Sequence, residues 1–76
     1  MDIAERFGIR VQYLRNQKGM SQAQVCAASA AGLTQPYLSQ IEKGRVWVRL
    51  DTIEAICRGL GIHPEELFKE IRLDTP

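Results

Sequence analysis

Two helix-start signals stand close together near the middle of this chain, with a glycine between them. The first is Ser21-x-x-Gln24, a capping box in which each side chain can satisfy an otherwise unpaired backbone donor. Met20 before the cap and Val25 after it supply a hydrophobic staple. The second signal is Thr34, the expected N-cap of a further helix, with Leu33 and Leu38 as its staple. Pro36 belongs in a first turn, where its missing N–H is no loss. Because it restricts the residue before it, the cap stays open between Thr34 and Gln35. Gly32 interrupts the pattern between the two. The segment is therefore expected to form two short helices, 22–31 and 35–43, joined by a turn.

The remaining helices fall around this pair. Ile3, Phe7, Val11 and Leu14 recur at helical spacing and predict a first helix over about 2–17, stopped by Gly19. Ala23, Cys26, Ala27, Ala28, Ser29, Ala30 and Ala31 make the second helix rich in small residues, which would let another helix approach closely. Arg45 to Arg49 alternate charged and apolar groups, but five residues without a partner strand predict a loop. A fourth helix is expected over about 50–59, with Leu50, Ile53, Ile56, Cys57 and Leu60 facing inward and Gly61 as its stop. His63-Pro64-Glu65-Glu66 opens a fifth, whose apolar stripe is Leu67, Phe68 and Ile71. The last three residues are expected to fray. Five helices on short loops make a single compact all-α domain over residues 1–76.

Composition narrows the function. A chain of 76 residues that is 45% hydrophobic and 25% charged reads as one soluble globular domain. It has no apolar run near the roughly 20 residues needed to span a bilayer. Met1 to Arg6 lack a secretory apolar stretch, so a cytoplasmic location is expected, with no membrane partner. Cys26 and Cys57 are too few and too far apart for a zinc site and read as reduced core thiols. With His63 as the only histidine, no nucleophile–base pair and no phosphate-binding glycine loop, the expectation is no enzyme, cofactor, metal or small-molecule ligand.

The net charge of +1 hides an asymmetry. Residues 1–49 carry seven Lys and Arg against three Asp and Glu; residues 50–76 carry three against six. One end is electropositive, as suits docking on phosphate, although surface scatter gives the same pattern.

A helix pair of this shape commonly sets its second helix in the major groove of double-stranded DNA. Glutamine donates and accepts at once, which matches the N6/N7 edge of adenine, so Gln35 and Gln40 are the candidate base readers. Leu38 and Ile41 would face the core between them. Pro36 offers contact with a thymine methyl or merely starts the helix, and Tyr37 reaches a phosphate or covers the core. Ser39 meets phosphate or a base, or lies idle. Lys43, Arg45 and Arg49 would supply phosphate contacts, together with the N–H groups opening helices two and three. Trp47 is either a dimer anchor or a cover for helix four, and Leu67, Phe68 and Ile71 are either core or an extension into a dimer interface.

Three blocks resemble the Cro/CI-type, or XRE, family of phage-repressor helix-turn-helix domains over about residues 7–68. They are Phe7-Gly8-x-x-Val11-x-x-Leu14-Arg15-x-x-Lys18-Gly19-Met20-Ser21-Gln22, Tyr37-Leu38-Ser39-x-Ile41-Glu42-x-Gly44, and Leu50-x-Thr52-Ile53 with Leu60-Gly61-Ile62-x-Pro64-x-Glu66-Leu67-Phe68. The resemblance implies a five-helix, lambda-repressor-like fold and a DNA-binding transcriptional regulator, usually a homodimer on a two-fold-related operator. It further implies that Gln22 contacts phosphate, that Gln35, Pro36 and Gln40 read bases, and that Arg15 and Glu42 form a structural ion pair. The chain departs from the pattern in four places. Six residues separate Val25 from Gly32 where four are common, Val48 replaces a proline, and Arg49 and His63 stand where hydroxyl caps are usual. The rival reading is a protein-binding module, an adaptor or antitoxin-like inhibitor that keeps the fold with little DNA binding. The absence of Lys or Arg between Gln35 and Glu42 favours it.

Overall fold

A computed structural model describes residues 1–30 and 32–73, so Ala31 and the expected fraying of residues 74–76 lie outside the described residues. Among those described, five helices and no strand form: α1 (Ile3–Gln17), α2 (Gln22–Ala28), α3 (Gln35–Glu42), α4 (Leu50–Leu60) and α5 (Pro64–Phe68). The fold is all-α, and none of these helices is long and apolar enough to cross a membrane.

Local chemistry explains several of the boundaries. Asp2 caps α1 from outside it, accepting from the Glu5 N–H at 2.9 Å while Glu5 accepts from the Asp2 N–H at 3.0 Å. Ser21 and Gln24 open α2 with the same reciprocal pair, at 3.1 and 2.8 Å. Thr34 caps α3, accepting from the Tyr37 N–H at 3.4 Å, and Pro36 stands within the first turn. Arg49 precedes α4 without a side-chain cap. Gly61 closes that helix in the left-handed conformation, at φ 69°.

Two expectations are corrected here. Helix two stops at Ala28 rather than running through residue 31. The buried Ser29 hydroxyl turns back to donate to the Cys26 carbonyl at 2.7 Å, and Ala30 is left-handed at φ 78°. The extra length relative to the usual spacing therefore resides in the turn. Leu50, expected to face inward, is 84% exposed. The buried face of α4 runs through Thr52, Ala55, Ile56, Gly59 and Leu60, and Leu50 lies off that face in the first turn.

One apolar cluster holds the helices together: Phe7, Val11, Val25, Leu33, Leu38, Ile41, Ala55, Ile56, Cys57, Leu60 and Leu67. Burying such side chains contributes about 1.5–3 kcal/mol each before conformational entropy is subtracted. α1 packs on α3 and α2 packs on α4. Glycines on the partner helices permit the close approach that the small residues of α2 were expected to provide. Ala23, Ala27 and Ala28 are exposed, whereas a β-carbon on Gly59 would stand 2.5 Å from the Val25 carbonyl oxygen. Helix α5 is short, but Leu67 is fully buried and the Phe68 ring lies 5.6 Å from that of Phe7. Arg10 ties this end to α1 by donating to the Glu66 carbonyl at 2.9 Å.

Candidate nucleic-acid interface

The second helix of the central pair, α3, is fixed from below and open above. Leu38 and Ile41 are buried in the core, while Thr34, Gln35 and Pro36 are exposed at its start. Ser39 and Gln40 are half-buried along its flank. Tyr37 is also half-buried and packs against the core, which uses its ring as cover. Lys43, directly after the helix, and Arg45 beyond Gly44 are exposed. Arg49 is exposed too, but its Nε lies 3.4 Å from the Asp51 carboxylate, so part of its charge is met locally.

Glu42 anchors the far end of α3. Its side chain is only 5% exposed and receives a fork from Arg15, with Nε 2.7 Å from Oε2 and Nη2 2.9 Å from Oε1. The remaining terminal nitrogen of Arg15 donates to the Met20 carbonyl at 2.9 Å. This bonding to Glu42 raises the Arg15 pKa above its ordinary value against the opposing pull of burial, so the guanidinium stays charged. Gln22, the first residue of α2, also donates from Nε2 to Glu42 Oε1, at 3.1 Å. One carboxylate therefore joins the end of α1, the start of α2 and the end of α3. The Arg15–Glu42 relation was legible from the family pattern, but the third arm was not. For Gln22 the resemblance implies a phosphate contact alone.

The residues considered for dimer contact separate into two sets. Leu67 is fully buried, which selects the core alternative for this residue: it belongs to the core that closes α5 over α1. Ile71 is partly buried against the same core. Trp47 is 74% exposed, and Phe68 is exposed as well. Together with Ile3, Val46, Val48 and Ile53 they line an apolar hollow of about 150 Å³. Leu50, whose helical position alone suggests an inward side chain, is exposed as well.

The comparisons with known proteins agree with this architecture. A helix-turn-helix family profile matches residues 11–67. Control protein C.MunI from Mycoplasma sp. is 40% identical over 70 residues, spanning 92% of this chain and 93% of that protein. Control protein C.BamHI from Bacillus amyloliquefaciens is 40% identical over 63 residues, spanning 82% and 75%. Among solved structures, the restriction-modification controller protein C.AhdI from Aeromonas hydrophila superposes with a TM-score of 0.78 at 35% identity. The match covers 86% of this chain and 96% of that one.

Proposed function

Because the chain belongs to the helix-turn-helix family of the Cro/CI type, a family of DNA-binding transcriptional regulators, we propose that it is a sequence-specific regulator that works as a homodimer on a two-fold-related operator. The observation that carries this reading is the posture of α3. Its inner face is locked into the core and to Arg15, while Gln35 and Pro36 stand exposed at its start. Gln35 and Gln40 would read base edges, with Thr34, Pro36, Tyr37 and Ser39 along the same groove. Lys43, Arg45 and Arg49 would set the register on phosphate. The two recognition helices of a dimer would enter successive major grooves about 34 Å apart. The dimer contact would fall on the exposed Trp47, Leu50 and Phe68.

The names of the relatives support a narrower role as a control protein, of the kind found in restriction-modification. On this reading the protein acts in the cytoplasm without catalysis, cofactor, metal or small-molecule effector, and its own concentration sets occupancy. Selection from random duplexes with the purified protein, followed by footprinting, tests the proposal. An enriched two-fold motif protected one helical turn apart is expected. No enriched sequence and no salt-sensitive affinity would favour the protein-binding alternative, to which the lack of Lys or Arg within α3 lends some weight.

A further inference from the structure

We propose that Glu42 is a positioning residue for DNA contact: it holds the Gln22 amide with its nitrogen inward, so that Gln22 meets the duplex already ordered. The inference rests on the DNA-binding reading above. A carboxylate only accepts hydrogen bonds, so the group facing Glu42 Oε1 at 3.1 Å has to be the amide nitrogen. The reverse orientation would set two acceptor oxygens against each other. Glu42 itself has no freedom to turn away, because the Arg15 fork holds both its oxygens and Arg15 is held in turn by the Met20 carbonyl. The outward edge of Gln22 is therefore its carbonyl oxygen and its second N–H, and that N–H is the donor for a phosphate beside α3. Pairing with Arg15 offsets the negative charge of Glu42, which would otherwise repel the backbone. Fixing a flexible side chain before binding is worth about threefold to tenfold in affinity.

A double-mutant cycle on DNA binding tests this, with Gln22→Ala, Glu42→Gln and the pair measured where denaturation curves show each variant folded. Gln22→Ala and Glu42→Gln are each expected to weaken binding about threefold to tenfold or more, and the pair no further than the more damaging of the two alone. In the free protein, the Gln22 side-chain NH₂ signals should be ordered and slow to exchange, and should lose both properties in Glu42→Gln. If Glu42→Gln does not fold, Glu42→Asp, which keeps the charge but shortens the reach, takes its place. Losses that simply add, or a mobile Gln22 amide in the wild type, would overturn the proposal. Additive losses with an ordered amide defeat this inference alone, whereas a wild type without DNA affinity removes the DNA-binding reading with it.

Discussion

Gly8 of α1 lies against the backbone of Ile41 in α3 so closely that a β-carbon there would overlap the Ile41 carbonyl oxygen, and would stand 2.8 Å from that of Glu42. Glycine inside a helix ordinarily costs about 1 kcal/mol relative to alanine, so Gly8→Ala would be stabilising on propensity alone. Here the obstacle is backbone on a packed neighbour, which yields only if α3 moves. Overpacking of this kind costs about 1–3 kcal/mol and outweighs the gain. Gly8→Ala should lower the denaturant midpoint, by the equivalent of a net loss of about 1 kcal/mol in unfolding free energy, and should weaken DNA binding beyond the loss of folded protein. A raised midpoint would contradict the packing argument.

What the sequence made legible follows from how local each signal is. Caps at Ser21 and Thr34 act within one turn, and both helices start where those residues predict. The end of α2 was misplaced because a run of alanines carries no stop signal. What ends it is a hydroxyl returning to Cys26 and a left-handed Ala30, neither of which composition announces. Leu50 departs from its expected inward position for a related reason. Periodicity says that a helix has an apolar face, but the neighbours decide which residues it covers. The Gln22–Glu42 bond joins residues on two helices and depends on their crossing, so spacing along the chain holds no trace of it.

Arg45 and Arg49 should differ as phosphate contacts. Arg45→Ala is expected to weaken binding to specific and random duplexes alike and to reduce the slope of log affinity against log salt by about 0.9. Arg49→Ala should change the slope less, because Asp51 already meets part of its charge. Titrations across a salt series distinguish the two. An unchanged slope for Arg45→Ala removes it from the phosphate set.

Trp47 and Leu50 are exposed in the single chain, so replacing either with alanine should shift its stability by no more than about 0.5 kcal/mol. If they anchor the dimer, the same changes should raise the dimer dissociation constant about tenfold. Leu67→Ala provides the contrast, since emptying its fully buried site should cost about 2–5 kcal/mol of folding stability. Sedimentation over a concentration range, beside denaturation curves, separates these effects. Unchanged self-association in both Trp47→Ala and Leu50→Ala would move the interface elsewhere.

Burial, reinforced by the Glu66 charge, pushes the Cys57 thiol above its ordinary value of 9.0, because the thiolate is the form disfavoured inside. The folded protein then holds this proton more tightly than the unfolded chain does. Its contribution is fully present below the unfolded value and is lost as pH rises through the folded one. Stability should therefore fall as pH climbs past about 9, and Cys57→Ala should show a shallower fall. Thermal denaturation from pH 7 to 10 checks the sign, and identical alkaline profiles for the two proteins would contradict it.

The central claim is that the outward amides of α3 read bases, and the most direct test uses the selected duplex with each base pair changed in turn. For the wild type, one pair beneath Gln35 and one beneath Gln40 should each discriminate by about 1–3 kcal/mol. In Gln35→Ala the first preference should vanish while the second persists, with binding to random DNA little changed. A Gln35→Ala protein that keeps every wild-type base preference, or that loses specific and random binding equally, would contradict the account.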